Sequence, residues 1–264
     1  MNRPLGKVSL VGAGPGDPEL LTIKAMNAIA AADVLLVDDL VADEILRFAS
    51  TTARIIYVGK RGGCKSTPQA FIEKLMISEA QNGMQVVRLK GGDPYIFGRG
   101  GEERLVIEAA GIACEIVNGI TAGLAGPASI GIPLTHRDFC HGAIFVTGHA
   151  GEHALTSPNW QALVATGMPL IIYMGVSRIN DIIDGLIEGG MASDMPVAVI
   201  QNATRVDARH VITTLSNAVG DIALNGIGSP AIVVVGRTVL LATSLTKSAI
   251  DETLQPLLRQ NTRQ

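Results

Sequence analysis

Apolar and polar positions change places along this chain in short blocks, and the blocks predict strands and helices in turn. Lys7-Val-Ser-Leu-Val11 reads as an apolar strand, followed by the turn GAGPGD (Gly12 to Asp17) and a helical pattern with Leu20, Ile23, Met26 and Ala30 on one face. Asp17 suits the N-cap, Pro18 the first helical position and Glu19 the first turn. The pattern then predicts strands at 33–37 and 54–58, a helix over 68–81 with Ile72, Leu75 and Met76 facing inward, a strand at 85–89, a helix over 102–110 closed by Gly111, and a strand at 113–117. After Gly131-Ile-Pro-Leu-Thr-His-Arg-Asp138 the alternation restarts, with strands at 143–147, 170–174, 197–200, 210–213 and 231–235 and helices at 160–165, 179–188 and 216–224. Such alternation predicts the α/β class: two α/β domains, 1–136 and 137–264, with mostly parallel sheets covered on both faces.

Composition narrows the class of function. With 47% hydrophobic and 3% aromatic residues, a chain of 264 residues fits a tightly packed α/β enzyme rather than a disordered or fibrous protein. The 21 Lys and Arg stand against 24 Asp and Glu, so no global basic field drives nucleic-acid binding, and an anionic substrate must be met by local cations. Cys64, Cys114 and Cys140 are odd in number and lack metal-binding spacing, which argues against disulfides and thiolate metals and for a reducing, cytoplasmic home. The N-terminal stretch enters a strand without an apolar leader, and no apolar run is long enough to span a bilayer, so neither export nor a membrane partner is expected. His149 and His153 are four apart with His141 nearby, but Gly148, Gly151 and Glu152 suggest a loop, and no metal site is expected.

Candidate chemistry concentrates in residues 91–103, GGDPYIFGRGGEE, directly after an apolar strand. Backbone so rich in glycine lets a ligand approach peptide groups and permits turns that side chains would block. GAGPGD superficially follows the dinucleotide fingerprint, but its third glycine comes one residue early and Asp17 puts negative charge where phosphates would sit. Two readings stand for it: a site for a nucleoside without phosphates, or a tight turn packing strand against helix.

GAGPGDPELLT, VGKRGG (Val58 to Gly63), GGDPYIFGRGGEE, GITAG (Gly119 to Gly123), GIPLTHR (Gly131 to Arg137), VTGH (Val146 to His149) and YMG (Tyr173 to Gly175) occur together and in order. The ensemble, spanning about residues 6 to 236, resembles the tetrapyrrole methylases, class III methyltransferases, and within them the stand-alone enzymes of early porphyrinogen methylation. The resemblance implies S-adenosyl-L-methionine held in a cleft between the two domains, and transfer of methyl to two pyrrole carbons of uroporphyrinogen III, giving precorrin-1 and then precorrin-2 for siroheme or cobalamin. It also implies a homodimer. Matched motif by motif, it assigns the donor to Pro15, Gly91, Gly92, Asp93, Ile96, Thr121, Ala122 and Met174, and to Ala203 and Pro230.

For catalysis the resemblance points to Asp38 as proton acceptor and Lys60 as proton donor. Methyl transfer from a sulfonium needs in-line alignment above all, and a carboxylate at hand is useful as general base. Asp38 and Asp39 at a strand end also read as solvated turn residues, and Lys60 as a substrate anchor. Uroporphyrinogen carries eight carboxylates, which guanidinium groups match well; Arg61, Arg99 and Arg137 fall inside the resemblance motifs and would bind them. Glu102 orients Arg99 or accepts pyrrole N–H groups, or serves only as a first-turn acid of the following helix. Two departures from the family pattern are expected to matter: Pro127, inside the helix that should follow GITA, and Gln201-Asn-Ala-Thr204, which lacks glycine. The alternatives for function are methylation of a later corrin intermediate or of RNA, a nicotinamide dehydrogenase, and a tetrapyrrole carrier without catalysis.

Overall fold

A computed structural model describes residues 4–59, 67–149 and 158–242. The chain divides into two compact units, the division falling between Ala122 and Gly123.

In the first unit, β1 (Lys7–Gly12), β2 (Val34–Val37), β3 (Arg54–Tyr57), β4 (Gln85–Lys90) and β5 (Ala113–Val117) form one sheet in the order β3-β2-β4-β1-β5. Every pairing in it is parallel. The run Val34-Leu-Leu-Val37 is apolar at every position because both faces of the sheet are covered. Leu35 and Val37 point into a core shared with Ala25 and Ile29 of α1 (Ile23–Ala30). Val34 and Leu36 point the other way, toward Ile72 and Met76 of α2 (Gln69–Gln81) and Ile107 of α3 (Gly100–Ala109).

The first helical segment differs from its expected form. Asp17 and Pro18 do start a helix, but a single 3-10 turn, Pro18–Leu20, in which the Asp17 carboxylate accepts from the Glu19 amide at 2.8 Å. The chain then re-enters extended geometry, and Thr22 caps α1 by accepting from the Ala25 amide. The inward face is therefore Ala25 and Ile29, while Ile23 is 75% exposed. Two N-caps five residues apart, Asp17 and Thr22, compete for one apolar pattern, and the side-chain hydroxyl of Thr22 resets the helical phase.

In the second unit, β6 (Ile144–Thr147), β7 (Leu170–Tyr173), β8 (Pro196–Gln201), β9 (Arg209–Thr214) and β10 (Ala231–Val235) are ordered β6-β7-β10-β8-β9. α5 (Trp160–Ala165), α6 (Ile179–Glu188) and α7 (Ala218–Leu224) alternate with them, as the α/β pattern predicts. Here the sheet is mixed: β6 and β7 are parallel, while β10 runs antiparallel to β7 and β8, and β8 to β9. The physical reason is the short loop joining β8 to β9, which is a hairpin and leaves no length for a crossover helix. Leu170, Ile172, Val199 and Val233 meet Ile182, Ile183 and Leu186 of α6 and Ile222 of α7 in the core.

α4 (Ala122–Ser129) explains why the division precedes the expected break at 136/137. The Gly123 amide donates to the Tyr173 hydroxyl at 2.8 Å, and a Cβ on Gly126 would lie 3.1 Å from the Ala203 Cβ, so this helix packs with the second sheet. Pro127 is buried inside α4, which ends two residues later at Ser129. Among the described residues no helix is long and apolar enough to cross a membrane.

Candidate functional site

The carboxyl ends of β1, β4 and β5 deliver three loops to one place, the end of a parallel sheet where α/β proteins bind ligands. Gly14 and Gly92 exchange two backbone hydrogen bonds, Gly92 N to Gly14 O at 2.7 Å and Gly14 N to Gly92 O at 3.2 Å. Glycine is required here for space as much as for φ: a Cβ on Gly119 would sit 2.2 Å from the Gly92 carbonyl oxygen, and one on Gly12 would sit 2.5 Å from the Gly119 nitrogen. Gly92 itself has φ +67°.

Asp93 is the clasp of this arrangement. It is 7% exposed, and its carboxylate accepts from the Tyr95 amide at 2.8 Å, the Asn118 side-chain amide at 3.1 Å and the Gly119 amide at 3.2 Å. It therefore ties the loop after β4 to the loop after β5. Pro15, Gly91, Gly92, Asp93, Ile96, Thr121 and Ala122 are thus gathered at one end of the first sheet, Thr121 with its Cα 3.6 Å from where a Gly92 Cβ would be. Phe97 and Arg99 both hold left-handed backbone, at φ 51° and 58°, and Phe97 and Tyr95 are largely exposed beside them. Left-handed conformations at non-glycine residues persist only where the surroundings impose them.

Asp38 follows β2 at the same end. Its amide donates to the Leu89 carbonyl, and the loop it opens lies against Gly91, where a Cβ would meet Leu40 Cβ at 2.7 Å. Gly59 presses on Asp39 from the other side, leaving no room for a side chain of its own. Lys60 and Arg61, the next in sequence, lie outside the described residues, as do Cys64 and His153.

Beneath Asp38 runs a network that the strand pattern alone did not reveal. Arg88 Nη2 stands 3.5 Å from Asp38 Oδ1, its Nη1 donates to the Leu36 carbonyl at 3.4 Å, and its Nε donates to Glu103 Oε1 at 3.4 Å. Lys90 Nζ approaches both Glu103 oxygens, at 3.2 and 3.0 Å, the second contact being an ion pair without well-angled hydrogen-bond geometry. Gln69 donates to Glu103 Oε1 at 3.0 Å. Glu103 is wholly buried, and burial followed by the Arg88 charge pushes the Lys90 ammonium below the ordinary lysine value, against the pull of Glu103. The signal in the sequence was two cations at alternate positions of an otherwise apolar strand, Arg88 and Lys90.

Arg99 donates to Glu102 Oε2 through Nε at 3.0 Å and Nη2 at 2.6 Å, and both side chains are more than half exposed. Glu102 is thus paired with Arg99 and also lies in the first turn of α3. Arg137 is exposed on a tight turn built around His136, whose carbonyl accepts from Phe139 and Cys140, and among the described residues Arg137 forms no ion pair.

In the second unit, the end of β7, the end of β8 and the start of β10 lie together at one end of the sheet, with Tyr173 paired to Ile232 and Gln201 to Ala231. Met174 follows Tyr173 there with φ 54° and 48% exposure. Asn202 N donates to the Pro230 carbonyl at 3.0 Å, and Ala203 is buried against α4, so Met174, Ala203 and Pro230 belong to one neighbourhood. Asn202 and Thr204 supply positive φ, at 49° and 64°, where the expected pattern had glycine.

The residues present suit a phosphate-free nucleoside. The Glu19 amide at the turn after β1, where a phosphate would bind, is already taken by the Asp17 carboxylate. Around Gly92 stand main-chain groups, the buried side chain of Thr121 and the half-buried, apolar Ile96. Among the described residues no cluster of three or more His, Cys, Asp or Glu could hold a metal ion.

This fold and these strand-end loops define a class, and the chain belongs to it: residues 7–219 match the Tetrapyrrole (Corrin/Porphyrin) Methylases. Among individual proteins, it is 52% identical over 232 residues to the uroporphyrinogen-III C-methyltransferase of Pseudomonas aeruginosa, covering 88% of this chain and 94% of that protein. It is 44% identical to siroheme synthase 2 of Aeromonas hydrophila, where the match takes in 90% of this chain but half the length of that relative. The crystal structure of uroporphyrin-III C-methyl transferase from Thermus thermophilus, complexed with S-adenyl homocysteine, superposes with a TM-score of 0.74 at 36% identity, covering 89% of this chain and 99% of that one.

Proposed function

We propose that this chain is an S-adenosyl-L-methionine-dependent uroporphyrinogen III C-methyltransferase that methylates two pyrrole carbons in succession, giving precorrin-1 and then precorrin-2. The observation that carries the reading is the glycine cluster clasped by Asp93 at the carboxyl ends of β1, β4 and β5, with Asp38 beside it at the end of β2. It is supported by 52% identity, over nearly the whole length of both proteins, to a relative named for that activity.

When bound, the donor supplies an electrophilic methyl on a sulfonium. The chain's contribution is placement, which accounts for about 7–11 kcal/mol of barrier lowering in well-oriented reactions. Pro15, Gly91, Gly92, Asp93, Ile96, Thr121 and Ala122 would hold the nucleoside, with Met174, Ala203 and Pro230 completing its surroundings. Asp38 accepts the proton that leaves the macrocycle after carbon–carbon bond formation, and Lys60 donates one where the reaction needs it. Arg61, Arg99 and Arg137 take the carboxylates of the substrate, each charge-assisted contact contributing roughly 1.5–3 kcal/mol. Glu102 fixes the Arg99 guanidinium in the orientation it has here. The working enzyme is a cytoplasmic homodimer, and its product feeds siroheme or cobalamin synthesis.

The test is a panel. S-adenosylhomocysteine raises the melting temperature and NADH does not, and labelled methyl passes from the donor to anaerobically generated uroporphyrinogen III. Stabilisation by NADH alone, or transfer only to a later corrin or to RNA, overturns the proposal.

A further inference from the structure

We infer that Arg88 is a positioning residue for Asp38, held in place by a buried counter-charge on Glu103. The inference rests on the role proposed for Asp38. Arg88 occupies a core position: on β4 it shares a face with Val86, which lies in the apolar cluster formed with Ile72, Met76 and Ile107. A hydrophobic residue there would serve stability as well, since replacing a buried ion pair with apolar side chains of similar volume is often neutral or stabilising. A charge at this place therefore asks for another purpose.

Its contacts supply one. The guanidinium is 3% exposed and uses three different nitrogens on three partners: Leu36 O, which fixes it to β2; Glu103 Oε1, which neutralises it; and Asp38 Oδ1, which it orients. Of the four charged groups in the network, Asp38 is the one that reaches solvent, with a third of its side chain exposed, while Arg88, Lys90 and Glu103 are at most 5% exposed. Lys90 and Gln69 join Arg88 in donating to Glu103 Oε1, which anchors that buried carboxylate, and the fork of Arg88 becomes a fixed post. Two cations against two carboxylates leave the network neutral, which is what permits its burial.

The experiment is a double-mutant cycle between Arg88→Met and Asp38→Asn, read by kcat, KM, the dissociation constant for S-adenosylhomocysteine and the melting temperature. Arg88→Met leaves the Lys90–Glu103 pair intact. It lowers kcat by about 10–100-fold, the size typical of an orienting group one shell removed, and changes the dissociation constant less than about twofold. In the Asp38→Asn background the same change costs no further kcat, because the group being oriented is already disabled. Arg88→Lys, which keeps the charge without the fork, recovers part of the loss and provides the same cycle if the methionine variant does not fold. Additive losses in kcat overturn the inference, as does a fall in inhibitor binding and melting temperature together that Arg88→Lys does not relieve. Full turnover by Asp38→Asn alone overturns the proposed role of Asp38, and with it this inference, and is read before the cycle is closed.

Discussion

Asp93→Asn isolates what the clasp does. The carboxylate accepts three hydrogen bonds while 7% exposed. Asparagine keeps one acceptor for the Tyr95 amide but turns an NH2 group toward two donors. Asn118 can rotate its own amide to present oxygen instead, whereas the Gly119 amide cannot rotate and is left without an acceptor. Losing one hydrogen bond to a charged acceptor removes about 1.5–3 kcal/mol, and stranding a buried donor costs about 1–3 kcal/mol. These overlap, so the expected loss is about 2–4 kcal/mol, a large fraction of a typical total stability of about 5–15 kcal/mol. Urea denaturation reads the loss, and hydrogen exchange at the Tyr95 and Gly119 amides localises it. Calorimetry with S-adenosylhomocysteine shows weakened binding in parallel, because the loops that form the cradle open together. An unchanged denaturation midpoint with donor binding abolished would refute the reasoning, since the carboxylate would then act on the ligand and not on the loops.

Other consequences follow from the same geometry. Gly119→Ala forces a Cβ to within 2.2 Å of the Gly92 carbonyl oxygen, where backbone must move, and a destabilisation of more than about 3 kcal/mol with loss of S-adenosylhomocysteine binding is expected; Gly220→Ala, in helix α7 with nothing within 4 Å, is expected to stabilise by about 0.5–1 kcal/mol in the same denaturation assay. Burial, with Glu108 adding to it, pushes the Cys114 thiol up to about 11, so in the native protein peptide mapping after iodoacetamide treatment at mildly alkaline pH finds it unmodified. Hydrogen bonds from Lys24 and then Lys7 hold Glu115 below the ordinary carboxylate range. A depressed folded-state value means that this stabilisation is complete above the ordinary glutamate value and lost as pH falls through the depressed one. Because all three side chains are well exposed, Glu115→Gln is expected to cost no more than about 0.5 kcal/mol at neutral pH in low salt, and less in high salt, by urea denaturation.

Much of the fold was legible because the apolar blocks are short and clean. Residues 34–37 are apolar at every position, as a strand buried on both faces requires, and the start and end of the helix over 69–81 follow from its pattern and from Gly83 behind it. The phase of α1 was not, because Asp17 and Thr22 both offer valid caps and only tertiary packing chooses between the segments they open. Strand direction in the second sheet was hidden for a different reason: local periodicity carries no sign, and the antiparallel course of β8, β9 and β10 depends on which strands become neighbours. At the site, glycine spacing identified the main-chain cluster, yet the function of Asp93 as a clasp depends on Asn118 and Gly119, twenty-five and more residues away. The ion network under Asp38 joins β2, β4, α2 and α3, contacts that no motif of adjacent residues encodes.

The measurement that bears most directly on the account is mass analysis of the product formed when the protein is incubated, without oxygen, with uroporphyrinogen III and methyl-labelled S-adenosyl-L-methionine. The account predicts a macrocycle heavier by one and then two labelled methyl groups, with formation of both abolished or greatly slowed in Asp38→Asn. Recovery of unmodified uroporphyrinogen from folded protein that binds the donor would contradict it.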